Sequence, residues 1–212
     1  MNRPARPIEW VVWGGLLLVI VSIVGAFLAS RFGRPNPSLP VYGAVPVFSL
    51  TNQSGRLVSL ADLRGQVWVG DIIFTRCPGL CANMTRQMSE LQAVLPATEP
   101  VKLVSLTVDP EFDTPEVLQR YAERFGASAD RWYFLTGKKL DLYRLATRGL
   151  LLALEEVEPA QRKSEDDLFV HSTLFVVVDS QARIRATFEG AEASSRQKIL
   201  EAIHVLLKEK QP

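Results

Sequence analysis

The clearest hydrophobic pattern in the chain is an uninterrupted apolar run near the N-terminus. Residues 10–30, "WVVWGGLLLVIVSIVGAFLAS", contain no charged side chain. About 20 apolar helical residues span the hydrocarbon core of a bilayer. A buried core helix would show a polar side, and the apolar region of a signal peptide is normally only ~7–15 residues long. The run therefore predicts one uncleaved transmembrane anchor.

After this run the pattern changes to a short polar tether and then to a single domain. Residues 31–40, "RFGRPNPSLP", are rich in proline and polar side chains, as is typical of a linker. Residues 41–208 have the size of one domain, and residues 1–9 form a short N-terminal tail. Because a short tail precedes a large domain, we expect a single-pass membrane protein with the domain on the periplasmic, extracytoplasmic side. A leader unlike a transit peptide favours a bacterial protein, and hence the cytoplasmic membrane.

Within residues 41–208, strand-like and helix-like spacings of apolar residues alternate. Nearly continuous apolar runs predict buried strands, and spacings of three and four residues with capping signals predict helices. The predicted strands are a hairpin at 47–60 and runs at 66–74, 101–109, 172–179 and 182–190; the predicted helices are at 81–95, 113–126, 138–149 and 194–209. The charged residues 155–167 are predicted to form a solvent-exposed excursion. This order indicates an α/β fold, with a central sheet flanked by helices.

The net charge of the chain bears on one class of partner, the nucleic acids. The chain carries 24 Lys and Arg against 23 Asp and Glu, a formal net charge of +1. No basic excess favours nucleic acid, so we expect no nucleic-acid partner.

Both cysteines lie in "GDIIFTRCPGLCANM", residues 70–84. Cys77 and Cys81 fall between the first long strand and its helix, at the carboxyl end of a strand, where open α/β sheets place their chemistry. A helix N-terminus also stabilises a thiolate. The intervening Pro-Gly-Leu favours a tight, exposed bend, which is unsuited to core residues. A disulfide between the two would close a very small loop and contribute little stability.

Two functions remain open for this pair: electron exchange with another protein and metal binding. A CxxC spacing would favour redox work, whereas the looser CxxxC allows both thiolates to face one soft ion. Two thiolates are an incomplete site for most metals, so a third ligand is needed. His171 precedes the longest remaining apolar strand and is the candidate, because in a thioredoxin-like sheet the loop opening that strand faces the cysteine loop. His204, in the last helix, is predicted to be a surface residue.

Six further side chains have structural or functional interpretations. Asp113 is a candidate helix cap, as is Thr114, and with Asp109 it is a candidate contact for a partner. Met84 and Met88 are predicted to be core residues rather than metal ligands. Arg76 either favours the thiolate of its neighbour electrostatically or is simply solvated.

Asp71 is the candidate for a supporting group. It lies six residues before Cys77 inside an otherwise apolar strand. A buried carboxylate there would tune the thiol pKa values or orient the site. The alternative is a strand-end aspartate bonded to the backbone or to a nearby arginine.

Taken together, several motifs closely resemble the Sco/SenC family of membrane-tethered copper chaperones. They are "FTRCPGLC", "VDPEFDTPEVLQRYA", "WYFLTG" and the histidine of "HSTLFVVVD", in the family's order and covering most of residues 45–205. One departure is Ala82, where many members have proline after the second cysteine; it removes no ligand.

The resemblance implies a thioredoxin-like fold, with a central mixed sheet, and a copper site. Carried over by position, the ligands are Cys77, Cys81 and His171, holding one ion per domain as Cu(I) or Cu(II). The implied acceptor is the binuclear copper centre of cytochrome c oxidase subunit II, with other copper chaperones or thioredoxin-like reductants as further partners. The alternative is a thiol–disulfide oxidoreductase that reduces the acceptor's cysteines; there Cys77 attacks, Cys81 resolves, and His171 or Asp71 moves protons.

Overall fold

A computed structural model of the chain describes residues 7–32, 38–77, 79–157, 159–161, 169–190, 192 and 194–209. The chain divides into two compact units, one ending at Ser38 and one beginning at Leu39. Residues 1–6 of the predicted tail and 33–37 of the predicted tether lie outside the described residues.

The N-terminal unit contains one long helix, α1, Pro7–Phe32. Its segment Trp10–Phe27 is long and apolar enough to cross a membrane, by length and composition. The side chains of this segment are exposed all round the helix, which suits surroundings that are apolar on every side. Length and composition are the whole support for an anchor, so the transmembrane span stays a prediction.

The second unit is built on a mixed sheet. Among the described residues the strands are β1 Gly43–Ala44, β2 Ser49–Asn52, β3 Leu57–Ser59, β4 Val67–Ile73, β5 Val101–Thr107, β6 Trp132–Thr136, β7 Leu154–Glu156, β8 Phe169–His171, β9 Leu174–Val178 and β10 Arg183–Glu189. Eight of them form one sheet in the order β1-β10-β9-β4-β5-β6-β2-β3. Strands β4, β5 and β6 are parallel and their other neighbours antiparallel, so the predicted mixed sheet is confirmed.

The helices of this unit follow the predicted order. They are α2 Leu60–Leu63, α3 Leu80–Val94, α4 Pro115–Arg124, α5 Lys139–Arg144, which continues into a π-helical turn at Leu145–Gly149, and α6 Ser195–Lys208, with a short 3-10 turn at Pro159–Gln161. Helices α3 and α6 pack against β4 and against each other, and α4 packs on β6. The apolar stripe of Ile199, Ile203 and Leu206 on α6 is buried, as predicted.

Residues 155–167 are not simply a solvent-exposed excursion. Leu154–Glu156 forms β7, which pairs antiparallel with β8 in a separate two-stranded sheet. The pairing brings Leu154 opposite His171. Residues 158 and 162–168 lie outside the described residues.

A buried arginine fixes the point where the chain enters the second unit. Arg185 in β10 donates hydrogen bonds to the carbonyl oxygens of Leu39 (2.6 Å from Nη2) and Pro40 (3.1 Å from Nε). It also donates to the carboxylates of Asp179 (2.8 Å) and Glu209 (2.7 Å), both from Nη1. The segment Leu39–Pro40 and the end of α6 are therefore held to the sheet by one guanidinium group.

The topology brings three segments to one edge of the sheet. Strand β4 ends at Ile73, and the parallel strand β5 ends beside it at Thr107. Strand β9 runs antiparallel to β4, so its first residues lie at the end of β4. The loops that follow β4 and β5 and the segment that precedes β9 therefore meet at this edge, called the cysteine edge below.

Candidate functional site

The two cysteines occupy the turn from β4 into α3. Cys77 lies in the loop and Cys81 in the first turn of α3, as predicted. They are not joined in a disulfide. The backbone N–H of Cys81 donates to the sulfur of Cys77 at 3.5 Å. An N–H donor at a helix N-terminus stabilises a thiolate, so this contact favours ionisation of Cys77.

The exposed bend is confirmed at Gly79 and Leu80, but the prediction that this segment is unsuited to core residues is wrong for Cys81. Gly79 and Leu80 are exposed, but Cys81 is completely buried and Cys77 is half-buried. The hydrogen bond with Cys77, together with burial, raises the pKa of the Cys81 thiol above its usual range. Loop composition did not reveal this burial, because it results from the packing of α3 on β4. The two thiols therefore differ in both access and acidity.

Asp71 lies beneath this turn in β4. Its side chain is completely buried, and it pairs with Ser105 of β5 across the sheet. Its charge is close enough to contribute to the raised pKa of Cys81, after the hydrogen bond with Cys77 and burial. The structure thus brings Asp71 near the thiol pair.

Tyr121 of α4 is a neighbour of the site that the sequence reasoning missed. Its hydroxyl lies 3.0 Å from that of Thr85, which donates to the carbonyl oxygen of Cys81 at 2.8 Å. Burial raises the pKa of Tyr121, and the charges of Cys81 and Asp71 contribute. Only its place in the motif at 108–122 could have marked Tyr121 as a neighbour of the site. A tyrosine at this position is equally expected on the buried, apolar face of α4.

A buried carboxylate ties the start of the cysteine loop to β5. Asp113 accepts hydrogen bonds from the backbone N–H of Thr75 at 3.2 Å, from the hydroxyl of Thr75, and from the hydroxyl of Thr107 at 2.5 Å. Burial raises the pKa of Asp113, and these hydrogen bonds oppose the shift. The prediction that Asp113 caps α4 is wrong: Thr114 is the cap, accepting from the N–H of Val117. Since Asp113 is completely buried, it offers no surface to a partner.

Arg76, next to Cys77, is held on the opposite side of this loop. Its guanidinium group pairs with Asp109 at 2.5 Å and lies 4.2 Å from the ring centre of Phe112. Neither prediction for Arg76 anticipated this pairing. The ion pair partly neutralises the positive charge beside Cys77 and adds a second link between the cysteine loop and the loop after β5.

The backbone of His171 lies in β8, at the cysteine edge. Phe169, two residues earlier, packs edge-on against Phe74, with ring centroids 5.3 Å apart. Phe74 is three residues before Cys77, so β8 lies against the approach to the cysteine loop. The side chain of His171 is outside the described residues. Among the side chains that are described, no group of three or more His, Cys, Asp or Glu is placed to hold a metal ion.

The remaining candidates take the predicted places. Met84 and Met88 of α3 are buried in the core, and Met84 packs against Gly190. His204 is exposed on α6.

Comparison with known proteins identifies the relatives of this chain. The sequence profile of SCO1/SenC matches residues 41–208. The SCO1 protein homolog of Bacillus subtilis is 33% identical over 155 residues, covering 72% of this chain and 77% of the relative. The structure of BsSco, described as a member of the Sco family of cytochrome c oxidase assembly proteins with a disulfide switch, matches with a TM-score of 0.70 and 29% identity. That match covers 82% of this chain and all of BsSco.

A second solved structure shares the fold at lower identity. Bradyrhizobium japonicum ScoI, solved with copper bound, matches with a TM-score of 0.64 and 22% identity, over 77% of this chain and 99% of ScoI. The predicted thioredoxin-like fold is confirmed by these likenesses, with a mixed, curled sheet and flanking helices.

Proposed function

Since this chain belongs to the SCO1/SenC family, we propose that it binds copper and delivers it during the assembly of cytochrome c oxidase. The family is one of cytochrome c oxidase assembly proteins, and members of it bind copper. The observation that carries the proposal is the pair of thiols at the start of α3, with the Cys81 N–H directed at the Cys77 sulfur. Such a pair suits a soft metal ion.

We assign the copper ligands to Cys77, Cys81 and His171, with one ion per domain as Cu(I) or Cu(II). Thiolate and imidazole both suit copper, and the backbone of His171 lies at the same sheet edge as the cysteine loop. Asp71 is assigned a supporting role, in which its buried charge tunes the thiols. Because Cys81 has a raised pKa, binding must release its proton, so affinity should rise with pH.

Anaerobic titration of the reduced full chain with Cu(I), against a competing chelator, tests this assignment. Wild type should bind one copper, and Cys77→Ser and Cys81→Ser should abolish tight binding. His171→Ala should weaken affinity at least about tenfold, the usual scale for loss of a ligand or its support. His204→Ala removes the other, exposed histidine and should change nothing. Equal affinity of the wild type and His171→Ala would refute the ligand assignment.

The finer proposal concerns where the copper goes. We assign the acceptor as the binuclear copper centre of subunit II, and place the domain on the periplasmic side of the cytoplasmic membrane, anchored by α1. Tethering donor and acceptor to one membrane raises their effective concentration. Other copper chaperones or thioredoxin-like reductants would load or reduce the chain. Copper transfer to subunit II in shared vesicles should therefore be faster for the full chain than for residues 38–212; equal rates would remove the role of the anchor.

Thiol–disulfide exchange is the second candidate, and the unequal burial of the thiols favours it. The half-exposed Cys77 thiolate would attack a disulfide sulfur of the acceptor, forming a mixed disulfide and releasing one acceptor thiolate. Cys81 would then lose its proton and attack Cys77, leaving a Cys77–Cys81 disulfide and a reduced acceptor. A thioredoxin-like reductant would supply the two electrons that restore the dithiol. BsSco is described as containing a disulfide switch.

His171 separates the two candidates. Exchange needs only the cysteines, so His171→Ala should slow reduction of a model disulfide only modestly while copper affinity falls. Wild-type protein that reduces disulfides rapidly but fails to bind copper tightly would make exchange the primary function.

A further inference from the structure

An exposed surface of mixed character lies where the chain enters the second unit. It combines apolar and basic side chains, and is called the entry surface below: Val41, Tyr42, Val47, Arg144, Arg148 and Leu151. Val47 is 88% exposed and Tyr42 61% exposed. Single exposed apolar side chains are ordinary, but a group of them marks an interaction site. We therefore ask what binds here.

Two observations link parts of this surface. Leu151 lies against the backbone just after Tyr42, since a Cβ placed on Gly43 would be 3.9 Å from the Leu151 Cδ1 atom. Val47 lines a cavity of about 540 Å³ together with Arg144 and Arg148. The segment that follows β1 therefore packs along the end of α5 and its π-helical turn.

The number of residues between α1 and Val41 limits how far apart the two can lie. Arg185 holds the carbonyl oxygens of Leu39 and Pro40, so the chain reaches Val41 at a fixed point on the sheet. Helix α1 ends at Phe32, nine residues earlier. Even a fully extended chain spans only roughly 30 Å over that distance. If α1 crosses a bilayer, Val41 therefore stays within roughly 30 Å of the end of that helix, close enough to reach the bilayer surface.

The chemistry of the surface matches a membrane with anionic lipids. Arginine guanidinium groups bind phosphate in a bidentate manner, and tyrosine favours the interface between lipid and water. Among the described residues, Asp141 is the one acidic residue that lines the cavity beside the two arginines, so their balance of charge is positive. We propose that the entry surface docks the domain onto anionic phospholipid headgroups of the membrane that holds α1. The proposal rests on the anchored state in the proposed function.

Hydroxyl-radical footprinting of the full chain in nanodiscs tests the proposal. The oxidation rate of Tyr42 is measured relative to that of Phe112, which is exposed at the cysteine edge and serves as an internal reference. Discs of phosphatidylcholine are compared with discs that also contain phosphatidylglycerol. Docking predicts that phosphatidylglycerol slows Tyr42 oxidation at least about threefold, since each arginine near an anionic surface adds roughly fivefold to binding.

Matched variants show whether the entry surface is responsible. Arg144→Gln with Arg148→Gln should restore the Tyr42 rate, and Val47→Asn should restore it in part. Arg56→Gln with Arg120→Gln makes the same charge change on exposed arginines outside the entry surface, and should leave protection intact.

Three results would overturn the proposal. They are equal Tyr42 rates in both kinds of disc, equal loss of protection in both arginine pairs, and protection in phosphatidylcholine discs on addition of inorganic phosphate alone, which would indicate a soluble-anion site. Failure of the anchor itself would show separately, as protein that does not elute with the discs. Copper titration of the same variants should match the wild type, which separates this test from that of the metal site.

Discussion

Cys77 and Cys81 are four residues apart but are chemically unequal. Cys77 is half-buried and receives an N–H donor at its sulfur, whereas Cys81 is completely buried and its pKa is raised by the hydrogen bond with Cys77 and by burial. Thiolate character and access together set thiol reactivity. A copper donor and a disulfide exchanger both need one accessible sulfur, and the structure assigns that place to Cys77.

Alkylation of the reduced protein should therefore be selective. Iodoacetamide at neutral pH should modify Cys77 at least about tenfold faster than Cys81, because only Cys77 combines access with a stabilised thiolate. Peptide mass spectrometry over a time course measures both rates. In denaturing urea the two rates should converge, and equal rates in the folded protein would contradict the assigned asymmetry.

At the scale of elements, polar side chains link neighbouring segments at two places: the cysteine edge and the point where the chain enters the second unit. Asp113 and the Arg76–Asp109 pair join the cysteine loop to the loop after β5. Arg185, in β10, joins the segment at Leu39 to the end of α6. Both depend on buried polar groups, which are costly when one partner is removed.

Arg185→Ala should lower the free energy of unfolding by about 3–5 kcal/mol, because it removes the hydrogen-bond donor to Glu209 and to the carbonyl oxygens of Leu39 and Pro40. Urea denaturation of the full chain in detergent measures the change. Arg183→Ala is the matched control: Arg183 pairs with the same Asp179, but its side chain is 35% exposed against 3% for Arg185. Its loss should cost only about 0.2–1 kcal/mol. Similar costs for the two variants would contradict the clamp.

The same cluster predicts acid sensitivity. The hydrogen bond from Arg185 lowers the pKa of Glu209 below its usual range. Burial alone would raise the pKa of Asp179, but the hydrogen bonds from Arg183 and Arg185 together lower it below 3.8. A carboxylate whose pKa is lower in the folded state than in the unfolded state stabilises the fold. This stabilisation is fully present at a pH above the unfolded-state pKa, and it is lost as the pH falls through the folded-state pKa.

As the pH is lowered from about 4, the unfolding free energy of the wild type should therefore decrease more steeply than that of Arg185→Ala. Urea denaturation at neutral and acid pH gives both slopes. All other carboxylates are common to the two proteins, so the difference between the slopes reports the cluster. Parallel slopes would show that Asp179 and Glu209 keep ordinary pKa values.

The element patterns also show what the sequence reveals and what it does not. Strand β4 and helix α4 were predictable because long apolar runs and capping residues are local signals. Strands β7 and β8 were missed because three-residue strands carry no periodicity and exist only through their pairing. The burial of Cys81 and the pairing of Arg76 with Asp109 were missed for the same reason, since both depend on neighbours distant in the sequence.

For the whole molecule, an apolar helix, a tether and a thioredoxin-like domain combine into one proposed task. The helix would keep the domain at the membrane, the entry surface would rest on its lipids, and the cysteine edge would present the thiols to a partner. The ligand set could be proposed from residue order alone because the motif at 74–81 and the histidine at 171 match the family pattern. The antiparallel placement of β9 beside β4 brings the backbone that precedes β9, which includes His171, to the same edge as the cysteine loop.

X-ray absorption at the copper edge of the reduced, copper-loaded chain tests the central claim most directly. The account predicts a first shell of two sulfur atoms and one imidazole nitrogen, with the nitrogen lost in His171→Ala and retained in His204→Ala. A shell without imidazole in the wild type, or one unchanged by His171→Ala, would contradict a site made of Cys77, Cys81 and His171.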